Sequence, residues 1–152
     1  MTSDTHGNYP LLFHACELAA PFDAVIHLGD GGDDADLIAR VLGINVISVA
    51  GNCDLGSPAP RERIWECEGQ RLLLTHGDRF GVKFGLSQLE QRGIEVGAHA
   101  VLFGHSHLAT ITTLSGILYV NPGTLIKTAT QRTIALLEVK QTGITAHLTH
   151  II

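Results

Sequence analysis

The 152-residue chain reads as an α/β protein, a mixed β-sheet structure with helices packed outside it. Three observations carry that reading. Short apolar runs of strand length recur, each closed by Gly or a polar residue. Helical periodicity lies only between the earlier runs. Beyond Gly93 strand patterns alone follow, so the architecture is mixed.

Taken in order, Leu12, Ala15, Cys16 and Ala19 form the i, i+3, i+4, i+7 stripe of an amphipathic helix that Pro21 stops. Ala24–Leu28 is a strand-like run into Gly29-Asp30. Leu37, Ile38, Val41 and Leu42 give a second helix its apolar face; it is entered through Asp33-Asp34 and ended by Gly43. Val46–Ala50 leads to Gly51-Asn52, and Leu72–Leu74 to His76-Gly77. A third, weaker helix is expected from Lys83 to Arg92, ending near Gly93. Val101–Phe103 runs into Gly104-His105-Ser106-His107, and Leu118–Val120 into Asn121-Pro122-Gly123. Ile134–Val139 and Ile144–Leu148 read as a closing hairpin turned near Thr142-Gly143. With no linker, repeat or low-complexity tract, residues 1–152 read as one domain.

Composition narrows the function. The net charge of −5 argues against broad nucleic-acid binding but leaves a phosphate substrate open, because bound cations can dominate a local field. Cys16, Cys53 and Cys67 are odd in number and lack C-x-x-C spacing, as expected of reduced thiols. With no signal peptide pattern and no run long enough to span a bilayer, a cytoplasmic protein without membrane partners is expected.

The polar residues fall in a regular place. Asp30, Asn52, His76 and the His105/His107 pair each lie just beyond an apolar strand. In α/β sheets, ligands bind where the loops at the carboxyl ends of strands converge. Together with Asp4 and His6 these residues offer four imidazoles, two carboxylates and one amide oxygen. That mixture suits Mn, Fe, Co or Zn and is too rich in nitrogen for Ca²⁺. Seven donors are too many for one ion with an open position, and they suit two ions sharing a carboxylate.

The series Asp4-Thr5-His6, Gly29-Asp30, Gly51-Asn52-Cys53-Asp54, His76-Gly77 and Gly104-His105-Ser106-His107 resembles the calcineurin-like metallophosphoesterase superfamily. Asn52-Cys53-Asp54 and Asn121-Pro122-Gly123-Thr124 are similar to its small bacterial and archaeal phosphodiesterases. The resemblance implies a four-layer α/β/β/α sandwich, two mixed sheets flanked by helices, with metals at the strand ends. It implies Asp4, His6 and His107 on a first metal, Asn52, His76 and His105 on a second, and Asp30 bridging. The expected cofactors are two divalent ions, Mn first, with Ni, Fe, Co or Zn as alternatives. The reaction implied is hydrolysis of a small phosphoester, in which Asp30, Asn52 and His76 are the catalytic set and Asn52 and Cys53 meet the substrate. A homo-oligomer is consistent with the resemblance. The competing reading is a non-catalytic scaffold of the same fold that binds protein partners. A dinucleoside-polyphosphate or protein phosphatase fits less well, since such relatives carry longer insertions.

Two departures matter. Relatives with strong monoesterase activity carry a leaving-group His where this chain has Cys53, and a thiol is a poor substitute for imidazolium near neutral pH. Phosphodiesters with good leaving groups are therefore favoured over alkyl monoesters. Secondly, only Met1-Thr2-Ser3 precede Asp4 where relatives have a full strand: either the true start lies upstream or this form tolerates a gap in its sheet, and with a gap Asp4 and His6 are expected to be weakly anchored. Among the remaining residues, His27 reads as a satisfied core residue, His14 as solvent-exposed and Trp65 as a packer. Arg61 and Arg63 read as solvated surface.

Overall fold

The computed structural model covers residues 1–152. Its helices are α1 (Tyr9–Ala19), α2 (Gly32–Leu42) and α3 (Ser87–Glu95). Its strands are β1 (Val25–His27), β2 (Val46–Ser48), β3 (Glu62–Cys67), β4 (Gln70–Thr75), β5 (Ala100–Leu102), β6 (Thr110–Leu114), β7 (Ile117–Asn121), β8 (Thr133–Lys140) and β9 (Gly143–His150).

One sheet has the order β3-β4-β5-β7-β6 and is mixed. Its centre is parallel, with Leu72 opposite Ala100 and Ala100 opposite Leu118. Its two outer strands run antiparallel to their neighbours. The second layer is assembled from the parallel pair β1-β2 and the antiparallel pair β8-β9. The first residues of the chain join them. Thr2 N–H donates to Ile26 O at 2.8 Å, Leu28 N–H to Thr2 O at 2.9 Å, and Ala135 N–H to Met1 O at 3.0 Å. The start of the chain therefore takes the central place in that layer, between β1 and β8.

Three apolar clusters hold four layers together. Ile26, Leu28, Val49, Leu72, Leu74, Leu102 and Val120 fill the space between the sheets. Leu12, Ala15, Cys16 and Ile38 bring α1 and α2 onto Val25 and Ile134 of the second layer. Leu89 of α3 packs with Leu73, Val101 and Tyr119 on the far face of the five-stranded sheet. This is the expected α/β/β/α sandwich.

The differences have local causes. Strands β3 and β6 were not anticipated, because Glu-Arg-Ile-Trp-Glu-Cys and Thr-Ile-Thr-Thr-Leu lack an apolar run. They are the outer strands of their sheet, with one face open to polar residues. Helix α3 starts at Ser87 rather than Lys83, since Phe84 N–H closes a turn onto Gly81 O at 2.9 Å. It also continues through Gly93 instead of ending there. A Cβ at Gly93 would lie 2.7 Å from Tyr119 Oη, so this glycine marks a close helix–sheet contact rather than a stop.

A cavity of about 610 Å³ lies beside Met1 between β1 and β8, lined by apolar side chains that include Leu12, Phe22, Ile26, Trp65 and Leu137. Yet Ser3, Asp4 and Thr5 are wholly buried. Asp4 N–H donates to Gly29 O at 2.9 Å and His6 N–H to Asp30 O at 3.0 Å. The weak anchoring expected of Asp4 and His6 is overturned, because main-chain bonds to the Gly29-Asp30 loop hold both residues.

Candidate metal centre

The strands deliver their polar ends to one edge. β1 leads to Asp30, β2 to Asn52, β4 to His76 and β5 to His105 and His107, while the first residues bring Asp4 and His6. Asp4 Oδ1 lies 3.1 Å from His107 Nε2 and 3.8 Å from His6 Nε2. Asp30 Oδ2 lies 3.7 Å from His6 Nε2 and 3.3 Å from His76 Nε2. His76 Nε2 is in turn 3.1 Å from His105 Nδ1. Two donor sets result, Asp4 with His6 and His107, and Asp30 with His76 and His105, the atoms of each within 4.8 Å of one another. A third set of the same compactness, His6, Asp30 and Cys53, overlaps both.

Asn52 is the one expected donor that these contacts do not draw in. It is exposed, and its side-chain amide donates to Cys53 Sγ at 3.5 Å. Cys53 is exposed as well, and its N–H donates to Asp30 Oδ1 at 2.8 Å.

The backbone holds this constellation under strain. Of the seven non-glycine residues with positive φ, five are Asp4, His6, Asp30, His105 and His107. Such conformations persist where surrounding contacts enforce them, and they concentrate at functional sites. Close approach also requires glycine. A Cβ at Gly51 would fall 2.1 Å from Asp30 Oδ1, and one at Gly104 would fall 2.0 Å from Ser3 Oγ and 2.9 Å from Asp4 Oδ2.

The charges are set for a cation. Burial works to raise the Asp30 carboxyl, but the His76 ring and the Cys53 N–H outweigh it and hold the group far below the usual carboxylate range. Asp4 is likewise buried and likewise lowered, by His107, by the charge of His76 and by the Ser3 hydroxyl. His76 is raised although burial opposes it, because Asp30 and Asp4 face the ring. Its Nδ1–H donates to Leu28 O at 2.8 Å, so Nε2 is the atom turned to the centre. His105 is lowered by burial and then by the charges of His76 and Lys83. Burial and the Asp30 carboxylate push the Cys53 thiol up, so it stays protonated.

A supporting shell was missed in the sequence. Ser3 Oγ donates to Asp4 Oδ2 at 2.6 Å, and Thr124 Oγ1 donates to Asp4 O at 2.8 Å. Asn121 Nδ2 donates to Gly104 O at 3.0 Å and to Ser106 Oγ at 2.9 Å, which gives the Asn121-Pro122-Gly123-Thr124 segment its role as a brace for the His105/His107 loop. Asp34 Oδ2 accepts from Thr5 Oγ1 at 2.5 Å and from Gly7 N–H at 2.8 Å. Both Asp54 oxygens are engaged by main-chain amides. One expectation needs correction. Arg61 is not simply solvated surface, since it pairs with Asp78 and donates to Gly51 O at 3.0 Å.

Residues 1–142 match the family model of the calcineurin-like phosphoesterase superfamily domain. The chain belongs to that superfamily. Among its metallophosphoesterase relatives is YsnB of Bacillus subtilis (strain 168), 34% identical over 133 residues, which cover 86% of this chain and 76% of that protein. Phosphodiesterase YfcE of Escherichia coli (strain K12) is 32% identical over 148 residues, covering 81% of this chain and 76% of that protein. In three dimensions the chain is similar to a conserved uncharacterized protein from Streptococcus pneumoniae TIGR4. The TM-score is 0.82 at 24% identity, covering 98% of this chain and 86% of the other. The calcineurin-like assignment makes this a phosphoesterase family member and implies divalent metal ions at the strand-end site. No helix is long and apolar enough to cross a membrane.

Proposed function

We propose that the chain is a two-metal phosphodiesterase. The observation that carries this reading is the pair of donor sets that meet at Asp30. The donors fit divalent first-row ions, since four imidazoles accompany two carboxylates held ionised in a buried setting. Asp4, His6 and His107 would hold one ion, His76, His105 and Asn52 the other, with Asp30 shared; Mn is the first choice and Ni, Fe, Co or Zn alternatives. Bound there, the metals supply an activated water for attack at phosphorus and neutralise developing negative charge.

The chain's own residues determine the rest. His76 presents Nε2 because Leu28 O occupies its other nitrogen. Asn52 and Cys53 are exposed, as is His6, and in this reading Asn52 and Cys53 would meet a phosphate oxygen and the leaving group. With its thiol pKa raised, Cys53 gives up a proton reluctantly. A departing alkoxide therefore lacks a good donor, whereas an acidic leaving group needs none. This favours diesters of acidic alcohols, and the name of the relative YfcE agrees with it.

The test is a phosphoester screen run in parallel with Mn²⁺, Ni²⁺, Zn²⁺ and Mg²⁺. Turnover of bis(p-nitrophenyl) phosphate well above that of alkyl monoesters is the expected result. Metal binding without turnover of any ester would favour the scaffold reading instead.

A further inference from the structure

We infer that Asp54 is a positioning residue whose carboxylate fixes the distance between the two donor sets, an inference that rests on the two-metal reading above. Asp54 Oδ2 accepts from Asp30 N–H at 2.7 Å and from Gly51 N–H at 2.8 Å. Its Oδ1 accepts from Gly31 N–H and Gly32 N–H, both at 2.9 Å. One carboxylate thus gathers four main-chain donors from three places: the loop after β1, the loop after β2 and the first turn of α2. Helix α2 has no side-chain cap from its own N-cap, Gly31, so Asp54 supplies that acceptor from another loop. Burial works against the ionised form, but the four amides more than compensate and hold the carboxyl below its usual range.

The consequence runs through Asp30. Its main-chain N–H is held by Asp54, while its side chain accepts from Cys53 N–H and faces both His6 and His76. Asp30 is the carboxylate between the two donor sets. If its backbone shifts, each set keeps its other members, but the link between them loosens. An Asn at position 54 leaves one oxygen for four donors and turns an amide N–H₂ toward two of them. The carboxylate is therefore needed for its pair of oxygens as well as its charge.

The test uses the full chain with Asp54→Asn, and with Asp54→Glu as a second variant that keeps two acceptors. In metal-free protein, hydrogen exchange is expected to show loss of protection at Asp30, Gly31, Gly32 and Gly51 together in Asp54→Asn, with the sheets unchanged and partial recovery in Asp54→Glu. In Mn²⁺-loaded protein, the electron paramagnetic resonance spectrum of an exchange-coupled pair is expected to give way to that of isolated ions. Binding of the weaker ion should fall roughly 10–100-fold. Retained protection at the four amides in Asp54→Asn overturns the clamp. Lost protection with an unchanged coupled spectrum and unchanged affinities reduces Asp54 to a helix cap and overturns the positioning role. If Asp54→Asn does not fold, wild-type protection and coupling in Asp54→Glu rejects the inference, since the longer side chain should misplace the loops. A wild-type protein that never shows two coupled ions defeats the two-metal reading itself, and the exchange experiment still decides the clamp.

Discussion

Acidifying the metal-free protein from neutral pH toward pH 4 is expected to weaken it through His27, an imidazole that the proposed chemistry does not use. The ring is wholly buried. Its Nδ1 accepts from Gly29 N–H at 3.2 Å, which leaves the proton on Nε2, 3.2 Å from Thr5 Oγ1. The Thr5 hydroxyl in turn donates a hydrogen bond to Asp34 Oδ2 at 2.5 Å. This relay needs a neutral ring, since a second proton on Nδ1 would meet the Gly29 N–H. Burial pushes the pKa from 6.5 down to about 4, even though Asp54, Asp4 and Asp34 pull it upward; His76 pushes it down further. The folded value lies below the unfolded one, so between them the unfolded chain binds a proton that the folded chain refuses. The stabilising contribution is then complete above about pH 6.5 and is lost as the pH falls toward 4. A gap of roughly 2.5 pH units at about 1.4 kcal/mol each amounts to about 3.5 kcal/mol. That is a large part of the ~5–15 kcal/mol typical of a folded domain. The assay is urea unfolding of chelated wild type and His27→Gln between pH 7.5 and pH 4.5. The glutamine variant is expected to be less stable at neutral pH, with the difference shrinking by about 2.5 kcal/mol between pH 7.5 and pH 4.5. Carboxylates and His76 titrate in both proteins and largely cancel. Parallel stability curves for the two proteins would refute the reasoning, because His27 would then titrate equally in both states.

The remaining tests address the site and the sheet. Chelated protein should be inactive on bis(p-nitrophenyl) phosphate and recover with Mn²⁺, and Asp30→Asn should lose more activity than His6→Ala because Asp30 borders both donor sets; turnover surviving exhaustive chelation would reject the mechanism. Cys53→His should raise activity on alkyl monoesters more than on bis(p-nitrophenyl) phosphate. With Asp54 already engaged, the gain should sit near the lower end of the ~10²–10⁴-fold range of general-acid catalysis, and equal changes on both substrates would place position 53 away from the leaving group. About five strand-forming residues added before Met1 should enter the cavity between β1 and β8, where each apolar side chain fully buried contributes ~1.5–3 kcal/mol before ordering costs. A higher melting temperature is expected, and an unchanged one would mean that the sheet does not accept the segment.

The donors were legible in the sequence because their chemistry and their position coincide. Singly, an imidazole or carboxylate beyond an apolar strand is more often a turn or packing residue, but the series at successive strand ends stands out, and the structure brings His76, His105 and Asp30 together as candidate donors. Asn52 was equally legible as a motif; its side chain is exposed, with the amide N–H₂ toward Cys53 Sγ. The supporting shell was invisible for a different reason. Asp34 and Asp54 act as acceptors for main-chain amides, and a main-chain amide leaves no trace in residue type. In sequence, each looks like an ordinary acid at a helix start or in a turn. The left-handed residues are hidden in the same way: glycine advertises positive φ, but Asp4, His6, Asp30, His105 and His107 adopt it with no trace in residue type. Strand β3 shows the limit from the side of the fold. Charges flank the Ile64-Trp65 pair along an outer strand, so no apolar run exposes it, and its pairing with β4 makes it a strand. Periodicity therefore reveals what a segment buries, and residue type reveals which atoms can hold a metal. The contacts that hold those atoms in place belong to the backbone, so altering Asp54, His27 or Asp34 should disturb the centre without removing a single proposed ligand.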